Sequence, residues 1–464
     1  MNFHAPEPVD ARTLPDNPGR TLSDSSSPES LDPEIPAFDE QVTDTEHRIH
    51  RLGPILAEGG QGAVYSTSVA EVAVKLLRGG QSETEVAETI GSVSRLPIRD
   101  LPIAMPYSVT RERPGYVMTM VRGMEPVGHL RKHSPRSLAL TTSLEWYERT
   151  GGLRRRIAVL ARIADLLAVL HARGVVYGDL NPNNVMVSAD AVGHEIWLID
   201  TDNMKFADDP RSTPYTPGYA APEHAAFPHL ASFESDAFSL LIVAFETITG
   251  LRPFLDGRQV AETRPGGQAE LDAYQGLLPS VIDPHASNSS EYWLLDRQLL
   301  LSPRLLELFE QGFGAGRTDP HSRPAAAELA RALWETLDLL CECISCGFAW
   351  WEGPAACPTC HEPVVEAPVV AAGTRSDRAA PIWRGRVGTA GLDVSRRALL
   401  VPAASQRRRN GLAAPAVRLS PSRNGVELEG ADGVTVAGRE LAGRDAIEVT
   451  IDGRWGLDLW LESV

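Results

Sequence analysis

The five cysteines of the chain all lie between Cys341 and Cys360. Four of them form two C-x-x-C pairs separated by ten residues: Cys343, Cys346, Cys357 and Cys360. Thiolates at this spacing suit a tetrahedral Zn²⁺ site, whereas a disulfide-linked secreted fold would distribute its cysteines along the chain. The spacing therefore predicts a structural zinc ribbon. Cys341 is left over, and His361 is an alternative ligand that the two equal spacings disfavour.

A glycine-rich segment and a lysine consist of residue types that commonly bind phosphates. The segment is Glu58-Gly59-Gly60-Gln61-Gly62-Ala63-Val64, between two strand-like runs. Residues without a Cβ let backbone N–H groups approach an anion closely. The next strand, EVAVK, ends at Lys75, whose ammonium could reach phosphates under that turn. A plain hairpin and a surface lysine are the ordinary alternatives.

Three further polar residues are of the types that commonly bind Mg²⁺ or transfer a proton. In YGDLNPNN, Asp179 precedes Asn184 by five residues, and the apolar run WLI ends at Asp200. Hard oxygen ligands of this kind suit Mg²⁺ and leave positions for phosphate. Asp and Asn are also common in turns and at helix caps, so neither motif identifies a metal site by itself.

The elements that must position these groups change character along the chain. From Arg51, short segments with β-branched residues are separated by glycines, which predicts a small antiparallel sheet. After about Gly151 helical periodicity dominates, and one long amphipathic helix, ending at Gly174, is predicted from Ile157, Leu160, Ala161, Ala164, Leu167, Ala168 and His171. The order predicts an α+β protein with a β-rich lobe followed by an α-rich lobe.

Composition divides the chain into further segments. The first segment is rich in Pro, Ser and acidic residues and lacks a hydrophobic period, which predicts disorder, while the last contains short alternating runs between glycines. The predicted organisation is a disordered acidic tail at 1–46, the two-lobed domain at 47–338, the zinc ribbon at 339–363, a linker at 364–380 and a small β-rich domain at 381–464.

Charge and hydropathy exclude several classes of partner. Lys and Arg number 44 against 61 Asp and Glu, a net charge of −17 that repels a phosphate backbone, so nucleic acid is not an expected partner. No stretch approaches the roughly 18 apolar residues of a membrane span, and the N-terminus lacks a basic, then apolar, signal. We expect a cytoplasmic protein with no membrane contact.

The order and spacing of these motifs resemble the eukaryotic-like serine/threonine protein kinases of bacteria over about residues 50–338. LAEGGQGAVY resembles the glycine-rich loop, AVK the third-strand lysine motif, YGDLNPNN the catalytic loop and LIDTD the segment usually written DFG. TPGYAAPE, from Thr216 to Glu223, is similar to the peptide-positioning and APE segment. Asp236 stands where the family braces the catalytic loop, Glu246 follows the family pattern, and Arg323 is similar to the partner of the APE glutamate.

The resemblance implies a bilobal protein-kinase fold that transfers phosphate from ATP to Ser/Thr hydroxyls of proteins. Asp179 would be the catalytic base, Lys75 would contact the phosphates, and Asn184 and Asp200 would hold Mg²⁺. Thr216 resembles the threonine of Ser/Thr-specific members. Nucleotide binding is implied for Ala57, Gly59, Gly60, Gly62, Val64, Lys75, Glu85, Met118, Met120, Asn184 and Asp200, with Met118 as gatekeeper before the hinge.

The sequence departs from the family pattern at the centre of these motifs. Tyr177 and Gly178 replace a His-Arg pair, so an activation-loop phosphate loses its customary arginine. Asn181 replaces a lysine. Asp202 is an alternative metal ligand where the family has glycine. Three glutamates could pair with Lys75, namely Glu83, Glu85 and Glu88; Glu85 is preferred, although it could instead close a capping box.

Two other functions remain open from the sequence. The catalytic-loop pattern also occurs in small-molecule phosphotransferases such as aminoglycoside and choline kinases, which generally lack the APE segment. A nucleotide-binding pseudokinase scaffold is the second alternative. The cysteine cluster and the last domain are expected to dock a protein partner that supplies the input signal.

Overall fold

The computed structural model describes residues 40–362, except 61, 79–80, 132–139, 212–213, 227–230, 287, 291–292, 294, 344 and 352–355, together with the backbone of strand segments between 369 and 461. Most of the predicted acidic tail lies outside the described residues. Among the helices that are described, none has the length and apolar character that a membrane span requires.

The N-terminal lobe is a six-stranded antiparallel sheet with strand order β1-β2-β3-β4-β6-β5. Its strands are β1 (Glu40–Thr43), β2 (Ile49–Gly59), β3 (Gly62–Thr67), β4 (Val72–Leu77), β5 (Pro106–Val109) and β6 (Gly115–Thr119). Residues alternate between the two faces, so that Val74 and Val117 are buried on one face while Ala73 and Tyr116 are buried on the other.

Helix α1 (Glu83–Ser94) covers the face of the sheet that carries Ala73 and Tyr116. Val86, Ile90 and Val93 recur at i, i+4 and i+7 and are the buried residues of this helix. Ser82 caps its N-terminus. Apolar packing therefore sets the rotation of α1 against the sheet.

The C-terminal lobe is helical. Its helices are α2 (Leu140–Arg149), α3 (Gly152–Ala172), α4 (Glu223–Ala226), α5 (Phe233–Thr249), α6 (Arg258–Ala261), α7 (Gln268–Tyr274), α8 (Arg297–Leu300), α9 (Pro303–Phe313), α10 (Ala315–Thr318) and α11 (Ala326–Leu339), with short 3₁₀ turns at Val127–Leu130, Thr201–Asn203 and Pro320–Ser322. The long helix predicted from periodicity is α3, and Gly174 after it takes the positive φ, 75°, that ends a helix readily.

The core of the helical lobe forms around α3, α5 and α11. Ile157, Leu160 and Leu167 of α3 are at most 1% exposed, which is worth about 1.5–3 kcal/mol for each side chain. In α5, Phe238 stacks on Phe254 and Phe245 meets Phe309 edge to face. This core holds the short strands that carry the polar motifs.

Small antiparallel sheets lie between the large helices. They consist of β7 (Met124–Pro126), β8 (Val175–Val176), β9 (Val185–Ser188), β10 (Ile196–Leu198) and β11 (Lys205–Phe206), in the orders β10-β9-β7 and β11-β8. After α11, β12 (Cys341–Glu342) pairs with β13 (Ala349–Trp350). The predicted order of a β-rich lobe and then an α-rich lobe is confirmed.

The C-terminal region contains two antiparallel sheets with the orders β15-β14-β22-β21-β19 and β16-β17-β18-β20. The strands are β14 (Val369–Gly373), β15 (Trp383–Arg386), β16 (Ala398–Leu400), β17 (Val417–Pro421), β18 (Val426–Gly430), β19 (Val434–Val436), β20 (Glu440–Leu441), β21 (Ile447–Ile451) and β22 (Trp455–Leu461). The backbone agrees with the predicted all-β character of this segment.

Two predicted segment boundaries differ from the structure. Residues 40–43, assigned to the tail, form β1 because Val42 is buried against the sheet and the strand pairs with β2. Residues 369–373, assigned to the linker, form β14, which pairs with both β15 and β22. In both cases the pairing strand lies elsewhere in the sequence, so local composition did not reveal it.

Candidate functional site

The glycine-rich turn joins β2 to β3, as predicted. A Cβ at Gly62 would collide with the carbonyl oxygen of Leu76 on the neighbouring strand, whereas a Cβ at Gly59 or Gly60 would meet nothing within 4 Å. Packing within the protein therefore requires glycine at 62 but not at 59 or 60. The open space above Gly59 and Gly60 is compatible with close approach of a ligand to the backbone.

An apolar cluster lies on the face of the sheet that α1 covers. Met118 of β6 pairs in register with Ala73 of β4. Both are buried in one cluster, against which Val64 and Met120 also pack. The structure thus brings together Val64, Met118 and Met120, three of the residues predicted to bind the nucleotide. Ala57 lies opposite Val64 in the β2–β3 register.

Lys75 projects from β4 into a cluster of carboxylates. Its ammonium forms ion pairs with Asp200 and, at 3.0 Å, with Asp202, and lies 5.7 Å from the centre of the Tyr116 ring. The Lys75 side chain is 6% exposed and that of Asp202 is 13% exposed. Asp200 was predicted to bind a metal and Asp202 was the alternative ligand; the structure places both carboxylates beside the same lysine.

Electrostatics around Lys75 follow from burial and close charges. Burial lowers the pKa of the Lys75 ammonium, but the two carboxylates outweigh that effect and leave the pKa raised. Burial raises the pKa of the Asp200 carboxyl to about 6; the nearby Asp202 adds to the rise and Lys75 opposes it. Two mutually repelling carboxylates beside one ammonium supply the hard oxygen ligands that a divalent cation prefers.

Glu85, the preferred candidate to pair with Lys75, is engaged by a different residue, Ser82. Its carboxylate accepts hydrogen bonds from the backbone N–H of Ser82, at 2.7 Å, and from the Ser82 hydroxyl. It therefore closes the capping box that the sequence S-x-x-E offered as the alternative. Glu83 and Glu88, the other candidates, are also exposed, because the apolar positions of α1 face the sheet.

Asp179 lies in the loop between β8 and β9 and is held by residues of its own loop and of the segment that carries Thr216. One carboxylate oxygen accepts hydrogen bonds from the Thr216 backbone N–H, at 2.9 Å, and from its hydroxyl, at 2.8 Å. Asn181 donates to the Thr216 hydroxyl at 3.0 Å and to the Asp179 carbonyl at 3.2 Å. Burial raises the pKa of the Asp179 carboxyl, and the bonds from Thr216 oppose that rise.

Asn184 packs against the same aspartate. Its Nδ2 donates to the Asp179 carbonyl at 3.0 Å and to the Asp179 carboxylate at 3.3 Å. Its Oδ1, the atom that a hard cation prefers, is not used in these contacts. The Ile199 backbone N–H donates to the Asn184 carbonyl at 3.0 Å, which brings the catalytic-loop segment next to Asp200.

The buried carboxylate of Asp236 braces this loop, as the resemblance implied. It accepts the backbone N–H groups of Tyr177, at 2.7 Å, and Gly178, at 2.9 Å, and lies 3.1 Å from Nε2 of His171. Gly178 has a φ of 90°, a left-handed conformation that favours glycine over the arginine usual in the family. The sequence departure at Gly178 therefore has a backbone reason.

Tyr177 has a role that the sequence did not reveal. Its ring is buried, and its hydroxyl donates to the Ile199 carbonyl at 2.5 Å and lies 3.3 Å from the Asn184 carbonyl. The hydroxyl links the catalytic loop to Ile199, which lies between β10 and Asp200. A polar residue at a buried strand end was the available signal, since buried hydroxyls in proteins are normally hydrogen-bonded.

Two partly buried ion pairs fix the segment that carries Thr216. The Glu223 carboxylate accepts two hydrogen bonds, each of 2.7 Å, from the guanidinium group of Arg323, as the family pattern implied. Burial opposes the charged form of Glu223, but hydrogen bonding to Arg323 outweighs it and holds the pKa below its ordinary value. Glu246 accepts from Arg131 at 2.7 Å and from the Tyr219 hydroxyl at 2.8 Å. Arg131 was not among the sequence candidates.

The four predicted cysteine ligands converge at a second site. The sulfur atoms of Cys343 and Cys360 are 3.5 Å apart, those of Cys346 and Cys357 are 3.6 Å apart, and all four lie within 4.8 Å of one another. A tetrahedral Zn²⁺ with Zn–S bonds of about 2.3 Å separates its sulfur ligands by roughly 3.8 Å. The donor set and its spacing therefore fit Zn²⁺.

Comparison with known proteins agrees with this geometry. Residues 117–334 match the family model described as protein kinase domain. The chain is 30% identical over 195 residues to serine/threonine-protein kinase PkaB of Streptomyces coelicolor, covering 40% of each chain. It is 27% identical over 270 residues to serine/threonine-protein kinase Pkn1 of Myxococcus xanthus, covering 53% of this chain and 34% of that protein.

A third relative is serine/threonine-protein kinase PknE of Mycobacterium tuberculosis, 27% identical over 230 residues, which cover 45% of this chain and 36% of the relative. The matches thus span 40% or less of the length of these relatives. The matched region includes the catalytic loop, Asp200, the Thr216 segment and Arg323. The chain thus matches the protein kinase domain over residues 117–334 and is similar to bacterial serine/threonine-protein kinases.

Proposed function

We propose that the protein is an ATP- and Mg²⁺-dependent kinase that phosphorylates Ser/Thr hydroxyls of proteins. The observation that carries the proposal is the position of Asp179. Its carboxylate is fixed by the N–H and hydroxyl of Thr216, in the segment that resembles the peptide-positioning part of protein kinases. A base held by the peptide-binding segment is poised for a hydroxyl presented by that segment.

The proposed reaction is an in-line transfer. The oxygen of the substrate hydroxyl forms a bond to the γ-phosphorus of ATP while Asp179 accepts the hydroxyl proton. The bond between the γ-phosphorus and the β,γ-bridging oxygen breaks, and ADP leaves. Lys75 contacts the phosphates, and the backbone of Gly59, Gly60 and Gly62 covers them. Asn184 and Asp200 would hold Mg²⁺, which would neutralise charge on the phosphate oxygens.

The contacts of Asn181 support activity despite the missing lysine. Asn181 ties Thr216 to Asp179 through its side-chain amide. It supplies no positive charge. We therefore propose that this residue retains the positioning part of the role implied for the family lysine and leaves charge neutralisation to Lys75 and the metal.

The segment from Thr216 to Glu223 favours a protein substrate over a small molecule. The bidentate Glu223–Arg323 pair anchors this segment to the helical lobe. Small-molecule phosphotransferases with a similar catalytic loop generally lack the segment that corresponds to Thr216–Glu223. The ion pair therefore supports a built surface for an extended peptide beside Asp179.

For the cysteine cluster we propose structural Zn²⁺ held by Cys343, Cys346, Cys357 and Cys360. A closed set of four thiolates leaves no position for a substrate, so its role is stability. We further propose that the cluster or the C-terminal β region docks a protein partner in the cytoplasm. Deletion of both regions that leaves partner binding unchanged would contradict this.

Phosphate transfer from labelled ATP tests the proposed activity. We compare the wild type with Asp179→Asn on the protein itself, a basic protein and a panel of small alcohols. We expect label on Ser/Thr of protein, reduced at least about a hundredfold in the variant. Asp208→Asn is the matched control, because Asp208 is an exposed aspartate of a nearby segment.

Each outcome separates the candidate functions. Label on protein that persists in Asp179→Asn would reject Asp179 as base. Label on a small alcohol alone would assign a small-molecule phosphotransferase, and ATP binding without any transfer would assign a pseudokinase.

A further inference from the structure

The carboxylates beside Lys75 belong to Asp200 and Asp202, whereas the family resemblance leads us to expect a glutamate of α1. We propose that Asp202, rather than a glutamate of α1, is the positioning residue that orients Lys75 toward the nucleotide phosphates. This inference rests on the proposed nucleotide site. It goes beyond the proposed function, because it assigns the control of Lys75 to the segment after Asp200 instead of to α1.

The α1 glutamates are unsuited to this role. Glu85 is engaged by Ser82 in the capping box, and Glu83 and Glu88 are exposed. The helix meets the sheet through Val86 and Ile90, which share a cluster with Ala73 and Tyr116. Rotation that would bring a glutamate to Lys75 would expose those apolar side chains.

Asp202 is fixed where an anchor is needed. It lies in the 3₁₀ turn Thr201–Asn203, in which Thr201 is 2% exposed and donates its hydroxyl to the Ala104 carbonyl at 3.3 Å. Oδ2 of Asp202 lies 3.0 Å from the Lys75 ammonium. Its Oδ1 is buried and has no hydrogen-bond partner among the described residues.

The two carboxylates would have different roles, Asp200 as metal ligand and Asp202 as anchor of Lys75. Asp200, with a side chain 25% exposed, is the more accessible of the two, while Asp202 is 13% exposed and lies deeper beside Lys75. A cation that binds Asp200 would draw that carboxylate away from Lys75. The contact to Asp202 would still hold the ammonium in place, so the lysine remains oriented without a contribution from α1.

A double-mutant cycle on nucleotide affinity tests the proposal. The probe is a fluorescent ADP analogue, whose binding requires no phosphate transfer. We expect Lys75→Met to weaken binding about tenfold in the wild type, since a charge-assisted contact is lost, but less than about threefold in the Asp202→Asn background. The control background, Asp208→Asn, should leave the tenfold effect intact.

Magnesium dependence adds an independent readout. The Mg²⁺ concentration that gives half-maximal binding should be the same in Asp202→Asn as in the wild type, and Asp202→Glu should restore part of the Lys75 effect. Melting curves followed by circular dichroism would show that the variants remain folded.

Three results would overturn the proposal. Equal effects of Lys75→Met in both backgrounds would mean that Asp202 does not act on Lys75. A tenfold rise in the Mg²⁺ requirement of Asp202→Asn would make Asp202 a metal ligand instead. Loss of the Lys75 effect in a Glu85→Gln background would return the role to α1. Failure of the wild type to phosphorylate protein would reject the proposed function but leave this binding test valid.

Discussion

The catalytic loop and the cysteine cluster are both compact polar sites, but the chain builds them in opposite ways. Partners of the catalytic loop come from distant segments, since Asp179 bonds to Thr216, and Tyr177 and Gly178 bond to Asp236. The four thiols come from one stretch of 18 residues, Cys343–Cys360. One site needs the whole helical lobe to form, whereas the other needs mainly its own turn and a metal.

The two sites are also stabilised by different forces. The loop is fixed by hydrogen bonds to the buried charge of Asp236, which is 2% exposed. The cluster instead lies on an apolar base, in which Phe348 and Trp350 are buried and pack near Leu299. Such hydrogen bonds specify geometry, while apolar burial supplies most of the stabilising free energy.

The contact between the cluster and the helical lobe has a consequence for metal loss. The backbone N–H of Trp351 donates to the Leu299 carbonyl at 2.8 Å, and Ala349 belongs to the large core of the lobe. Residues 349–351, between the two C-x-x-C pairs, are therefore packed against that lobe. Disruption of the thiol site should be transmitted to helices that surround the catalytic loop.

The largest expected effect is that of removing a thiol. Cys343→Ser should abolish binding of Zn²⁺ and destabilise the helical lobe by several kcal/mol, on the order of 3–5, because metal binding and local folding are coupled. The measurements are zinc content per chain and the melting temperature from circular dichroism, with and without a chelator.

Cys341→Ser is the matched control, since Cys341 lies outside the two C-x-x-C pairs. It should keep one zinc per chain and the wild-type melting temperature. A Cys343→Ser protein that melts like the wild type would show that the cluster does not support the lobe.

A smaller effect on stability, but a large one on activity, is expected for Asp236→Asn. The substitution keeps the size of the side chain but replaces a charged acceptor of two backbone N–H groups, which costs about 2–3 kcal/mol. Urea unfolding measures the stability, and phosphate transfer, reduced at least about tenfold, measures the loop geometry.

The control for Asp236→Asn is Glu262→Gln. Glu262 pairs with Arg258 at the surface and its side chain is 66% exposed, so the expected cost is below about 1 kcal/mol. If Asp236→Asn retained full transfer activity, bracing of the loop by Asp236 would not be required for catalysis.

The same contrast explains what the sequence could predict. The cysteine ligands follow from local spacing, and the structure brings the same four sulfur atoms together. The residues of the catalytic loop follow from motifs whose order resembles a known family, and the match to the protein kinase family confirms that resemblance. Both predictions use information that lies in one short segment or in a recognisable series of segments.

The partner of Lys75 could not be chosen in this way, because three glutamates of α1 offered the same charge and the two aspartates were assigned to the metal. A closer look at the helix periodicity would have helped, since Val86, Ile90 and Val93 define the buried face and leave the glutamates outside it. The strand that includes Val42 was missed for a different reason, since its pairing partner begins at Ile49, beyond a polar turn.

The smallest effect is expected for Tyr177→Phe, which removes one hydroxyl and leaves the ring in place. The Ile199 carbonyl loses a hydrogen bond of 2.5 Å, which should cost about 1–2 kcal/mol in urea unfolding. Because Ile199 precedes Asp200, the same change should raise the Mg²⁺ concentration needed for half-maximal nucleotide binding by about threefold. Tyr107→Phe is the control, since Tyr107 is 41% exposed and its loss should change neither quantity. Unchanged stability and Mg²⁺ dependence in Tyr177→Phe would mean that the backbone alone joins the catalytic loop to Asp200, through the bond between Ile199 and Asn184.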